Sequence, residues 1–128
     1  VILRAPSFRV VMREGFHTLR GPQPPDFSVA VGHSRGIVTL APAGEIDLVT
    51  APLVADHLEA IAAGEVGHLV LDLEGVTFMD SNGVALLLGA WRRAAREGWA
   101  LTIARTPPAV SAVLGLCGVD DVLPLGNP

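Results

Sequence analysis

The hexapeptide FMDSNG, residues 78–83, separates two apolar segments of different period. Upstream, HLVLDLEGV (68–76) is almost continuously apolar, as in a strand with neighbours on both sides. Downstream, VALLLGAWRRAAREG (84–98) sets Val84, Leu87, Leu88, Trp91 and Ala95 at helical spacing, with Arg92, Arg93 and Arg96 on the solvent side. A buried strand that runs almost at once into an amphipathic helix is the building unit of an α/β sheet, and it limits the folds open to the chain.

The flanking sequence extends that unit. FSVAVGHSRGIVTLAPAG (27–44) reads as a hairpin of two strands around His33-Ser34-Arg35-Gly36. In EIDLVTAPLVADHLEAIAAG (45–64), Thr50 is a candidate cap and Pro52 is tolerated in the first turn. Leu53, Val54, Leu58, Ile61 and Ala62 then form the core face, Asp56, His57 and Glu59 point away from it, and Gly64 closes the helix. WALTIA (99–104) is a further strand, and Pro107-Pro108 opens a third helix that runs through Leu116 and ends at Gly118. Residues 119–125 form a short last strand or tail. The order β-β-α-β-α-β-α predicts a single α/β domain, with a mixed sheet of four to five strands and helices packed against it through right-handed crossovers. Its span is 27–125, with 126–128 as a tail. Residues 1–26 show no clear period and end in a proline-rich piece, so they read as an irregular N-terminal arm or linker.

Composition removes several functions. Half the residues are hydrophobic and 17% are charged, as in a folded domain rather than a disordered one. The net charge of −4 lacks the basic face of a dedicated nucleic-acid binder. All nine cationic residues are arginine, which leaves no lysine for a phosphate loop or a Schiff base. Cys117 has no second cysteine to pair with, which fits a reducing compartment, and its apolar neighbours predict a small buried residue. No apolar run approaches a membrane span, and no signal-peptide pattern follows the N-terminal arginines, so a cytoplasmic protein without membrane insertion is expected.

Ser81 stands at the strand–helix junction, where three roles compete. As a cap, its hydroxyl accepts from first-turn N–H groups, an interaction worth about 1 kcal/mol; Asp80 is the alternative cap, which leaves Ser81 exposed. As a nucleophile it lacks its context. Met79 stands where the hydrolase elbow needs glycine, and His17, His33, His57 and His68 fall in the arm, a turn, a polar helix face and a strand start. Metal binding has no supporting His or Cys spacing; Asp72, Glu74 and Asp80 lie near one strand end, where solvated carboxylates are the common case. As a switch, Ser81 would gain close to two negative charges on phosphorylation, at a helix N-terminus that tolerates an anion. Ala85 and Leu86 then offer apolar docking surface beside it, and Gly83 permits close approach of a partner backbone. The surface around Leu86 suits a homodimer as well as a different partner.

GEID (44–47), VLDLEGVTFMDSNG (70–83), the helix after it and LTIARTPPAVSAVLGLCGVDDVLPL (101–125) together resemble the STAS domain, and within it the bacterial anti-sigma factor antagonists. The resemblance spans 27–125. It implies that Ser81 is the residue phosphorylated by a partner that is both anti-sigma factor and serine kinase, a histidine-kinase-like ATPase. The unphosphorylated antagonist would bind that kinase and release a sigma factor, and phosphorylation would break the complex. Asp47 and Asp80 match acidic positions facing the kinase, with Asn82, Gly83 and Leu86 at the same tip. ATP and magnesium would belong to the kinase, so the chain would need no cofactor and would be a substrate rather than an enzyme. Asn82 departs from the serine or threonine usual after the acceptor, and the long arm departs from stand-alone antagonists. The alternative is a STAS scaffold or regulatory module of a signalling or transporter complex without phospho-switching.

Overall fold

The computed structural model describes residues 26–126, which form strands β1 (Ser28–Ser34), β2 (Ile37–Ile46), β3 (His68–Asp72), β4 (Val76–Met79) and β5 (Ala100–Ala104). The helices are α1 (Ala51–Ala62), α2 (Ser81–Glu97) and α3 (Pro108–Leu116). The arm expected over 1–26 lies, apart from Asp26, outside the described residues. The sheet is mixed, as expected, with order β1-β2-β3-β5 and β4 paired to β2.

Local chemistry sets the hairpin. Arg35 and Gly36 both take positive φ, 51° and 78°, as a two-residue turn requires when its twist matches the strands it joins. Registry then runs from Ser34↔Ile37 to Ser28↔Ala43. The other edge of β2 receives β3 in parallel from Ile37↔His68 to Leu40↔Leu71. Beyond it, β4 pairs in parallel from Gly44↔Val76 to Ile46↔Met79, with an irregularity between Gly44 and Glu45. Sequence periodicity does not separate β4 from β3, because Thr77 and Phe78 are both exposed and interrupt the alternation. The last segment pairs only through Leu125, which bridges Ile103.

One row of side chains, Val31, Leu40, Leu71 and Ile103, crosses the sheet in register, and each is 0–1% exposed. The helices cover this face with Val54, Leu58, Leu87, Val110 and Leu114. Three expectations are corrected here. His57 is 2% exposed rather than solvent-facing, because its Nδ1 lies 2.8 Å from the Leu53 carbonyl, which accepts its proton within the same helix. In α2 the buried positions are Gly83, Val84, Leu87, Ala90 and Ala94, so Ala95 turns to solvent while Leu88 and Trp91 pack half-buried at the margin. Cys117 is exposed, since it caps the end of α3 beside the exposed Leu116.

At the carboxyl ends of β3 and β5, Arg105 Nε donates to Asp72 Oδ1 at 3.2 Å, and its Nη2 pairs with Asp72 Oδ2 and, at 3.1 Å, with Glu74. Asp72 is 7% exposed and Arg105 17%. Arg105 reaches this position with φ of +54°, an uncommon conformation for a non-glycine residue. Removing the guanidinium leaves a carboxylate buried without its counter-charge. Arg105→Met is expected to lower unfolding free energy by roughly 2–3 kcal/mol, somewhat under the fully buried case because the pair is near the surface. Urea denaturation checks the value, and a loss below about 0.5 kcal/mol contradicts this role for the pair.

Candidate functional site

Because Ile46 pairs with Met79, the chain leaves β2 and β4 side by side, and Asp80 N–H donates to the Ile46 carbonyl at 3.3 Å. Two loop tips, 47–50 and 80–83, are thereby held together at one end of the sheet. Each opens a helix.

At the second tip Asp80 is the cap. Its backbone is extended (φ −110°, ψ −166°) and its side chain accepts from Asn82 N–H at 2.8 Å. With that interaction supplied by Asp80, Ser81 occupies the first helical position, exposed, and its hydroxyl makes no hydrogen bond to the described residues. Asn82 is half-buried. Gly83 is buried and faces inward: a Cβ there would overlap Met79 Cγ and Sδ and come within 3.1 Å of Ile46 Cγ2. The glycine therefore lets α2 seat on the end of β4, and it does not leave an opening for a partner backbone. Leu86 is half-buried against the core and is less available than its sequence position implies.

The first tip is built around Asp47. Its Oδ1 accepts from Val49 N–H at 2.9 Å and Thr50 N–H at 3.1 Å. Thr50 is a cap in backbone terms only. Its hydroxyl donates to the Glu45 carbonyl at 2.6 Å and accepts from Asp47 N–H at 3.0 Å. These bonds turn the intervening apolar residues outward, leaving Leu48 73% and Val49 64% exposed. The local signal for such a turn is two apolar residues between an aspartate and a threonine that hydrogen-bond each other. Phe78, 47% exposed, adds an aromatic face on β4.

The carboxylates near the strand ends do not gather. Asp72 and Glu74 converge on Arg105, while Asp80 turns to its own helix. Among the described residues no group of three or more His, Cys, Asp or Glu is placed to hold a metal ion, and no helix is long and apolar enough to cross a membrane. Among the described residues His33, His57 and His68 lie on separate elements, with His68 Nε2 2.8 Å from Thr102 Oγ1 on the sheet.

The two tips differ in what a substitution costs. Asp80→Ala is expected to lower stability by about 1 kcal/mol through loss of the cap, whereas Ser81→Ala should change it by less than about 0.5 kcal/mol; thermal or urea unfolding of both variants checks the contrast. At Asp47 the Thr50 N–H, assisted by that of Val49, holds the carboxyl below the usual carboxylate range. A depressed acid stabilises the fold above its unfolded pKa and loses that contribution as pH falls through the folded value. Asp47→Asn should therefore flatten the fall in stability between about pH 5 and pH 2, measured by urea denaturation at each pH.

The chain matches the STAS domain family over residues 28–127. It is 28% identical over 101 residues to the anti-sigma F factor antagonist of Paenibacillus polymyxa, covering 78% of this chain and 86% of that one. The crystal structure of an anti-sigma factor antagonist from Mycobacterium paratuberculosis superposes with a TM-score of 0.72 at 30% identity, over 81% of this chain and 89% of its own. The Bacillus cell fate determinant SpoIIAA in its phosphorylated form shares the fold, with a TM-score of 0.63 at 22% identity over 79% and 91% of the two chains. The paired loop tips and the exposed Ser81 thus stand on a sheet common to these regulators, and the chain belongs to the STAS domain family.

Proposed function

We propose that this protein is an anti-sigma factor antagonist that binds an anti-sigma factor kinase when unphosphorylated, releases a sigma factor by doing so, and is switched off by phosphorylation of Ser81. The observation that carries this reading is the division of labour at the start of α2: Asp80 caps the helix, and the Ser81 hydroxyl is exposed and unused by the fold. Similarity to anti-sigma factor antagonists supports the class of partner.

The chemistry follows from position. Attack of Ser81 Oγ on the γ-phosphorus of kinase-bound ATP forms the phosphoester, and ADP leaves. The kinase supplies ATP, magnesium and the base that takes the hydroxyl proton, so this chain is the substrate. The product phosphate, with close to two negative charges, lies at the N-terminus of a seventeen-residue helix. Free N–H groups and the helix dipole accommodate it there, so the fold survives modification.

Docking changes instead. Leu48 and Val49 form the apolar part of the contact, with Asp47, Asp80, Asn82 and the margin of Leu86 around them, and Gly83 acts by seating the helix. A dianion inserted beside Asp80 repels acidic groups and must be desolvated against that apolar surface, and both effects oppose binding.

Ser81→Asp should retain its circular dichroism and melting behaviour while losing at least tenfold in affinity for the kinase by calorimetry. Ser81→Ala should bind as the parent does and take up no phosphate on incubation with kinase and ATP. Equal binding by the Asp variant and the parent, with no phosphate at Ser81 by peptide mass spectrometry, would favour the scaffold or regulatory-module reading.

A further inference from the structure

Three successive backbone N–H groups at the start of α2 end on one residue. Asp80 Oδ1 accepts from Asn82 N–H at 2.8 Å, and the Asp80 carbonyl accepts from Gly83 N–H at 3.0 Å and Val84 N–H at 3.2 Å. Within this turn lies Asn82-Gly83, the one Asn-Gly pair in the chain. Asn127, the other asparagine, precedes a proline, whose nitrogen carries no proton. The Asn82 side chain is half-buried and makes no hydrogen bond to the described residues.

An asparagine followed by glycine has an intrinsic reactivity. The next amide nitrogen can attack the side-chain carbonyl carbon, and glycine has no Cβ to obstruct closure of the succinimide ring. Here the attacking atom is Gly83 N and its target is Asn82 Cγ. The N–Cγ bond forms, the Cγ–Nδ2 bond breaks, and Nδ2 leaves as ammonia with the proton given up by Gly83 N. Water then adds to either ring carbonyl carbon. Opening at Cγ leaves aspartate, opening at the main-chain carbon leaves isoaspartate, and nothing is oxidised or reduced.

The first turn of α2 holds the reacting atoms apart. In a helix ψ is about −42°, which turns Gly83 N away from Asn82 Cγ, and ring closure requires the chain to leave that region. Leaving it breaks the bonds to Asp80 and lifts Gly83 from its seat on Met79 and Ile46. A terminal turn opens locally more often than a whole domain unfolds. We propose that Asn82 is a site of spontaneous deamidation, with a rate set by opening of the turn that Asp80 caps. The glycine that permits close packing also exposes its neighbour to this chemistry. Conversion places a new carboxylate next to Ser81 in the chain, and it needs neither a kinase nor ATP.

The test incubates the full chain at mildly alkaline pH, folded in buffer and unfolded in guanidinium chloride. Mass spectrometry follows the peptide that contains residue 82, with aspartate and isoaspartate separated by chromatography. The folded parent should convert roughly tenfold or more slowly than the unfolded parent. Asp80→Ala, shown to be folded by circular dichroism, should convert about fivefold faster than the folded parent, as loss of a cap implies. Asp80→Ser restores a capping oxygen without the carboxylate and should bring the rate back to within about twofold of the parent. Equal rates for the folded and unfolded parent would overturn the proposal, and that comparison needs no variant. So would an Asp80→Ala rate equal to the parent's, an Asp80→Ser rate as fast as that of Asp80→Ala, or an unfolded chain that does not convert.

Discussion

Strand β2 is paired along both of its edges, and the other strands take their places from it. Its hairpin partner β1 fixes one edge, β3 occupies the start of the other, and β4 takes the end. A strand so enclosed has no free backbone to slip along, and slipping by one residue would turn Leu40 out of the core. The pairing also places the ends of β2 and β4 together, which brings the Asp47 and Ser81 loops to one tip. The site is therefore a consequence of sheet registry, with residues more than thirty positions apart set side by side.

At that tip, adjacent residues differ in what they contribute to the fold. Asp80 and Gly83 serve the fold, one by capping α2 and the other by admitting Met79 and Ile46 beneath it. Ser81 lies between them with its hydroxyl in solvent. A residue that contributes little to packing can be modified without loss of the domain, and that is the physical requirement for a reversible switch. The Asp47 turn has a matching logic: its hydrogen bonds are internal, so Leu48 and Val49 are held outward by a rigid loop. An apolar contact presented on a preorganised turn costs less to order on binding than one on a loose loop.

Much of this was legible in the sequence, for identifiable reasons. The hairpin showed in Arg35-Gly36, the helix starts in Pro52 and Pro108, and the strand–helix junction in FMDSNG, because turn and cap chemistry is local. Other residues were misjudged where a rule of residue type met a contact or a helix end that it does not register. His57 looked like a polar helix face, but its ring bonds back to Leu53 and so goes inside. Gly83 looked like an opening, but the side chain beneath it comes from β4 and the next from β2. Cys117 looked buried among apolar neighbours, but α3 ends there and turns it out. Leu48 and Val49 carry a local signal in the Asp47–Thr50 spacing, but they meet solvent because the loop those two residues close turns them out.

By itself, then, the sequence determined the alternation of strands and helices, the single domain, the absence of lysine chemistry and the presence of a hydroxyl at the mouth of a helix. These depend on period, residue type and spacing within a few positions, where the physics is short-ranged. The tertiary structure decided which aspartate caps, which glycine packs, which leucine meets solvent and which loops share a tip. Those outcomes depend on contacts between distant segments, because burial and hydrogen-bond partners exist only once the strands have taken their registry.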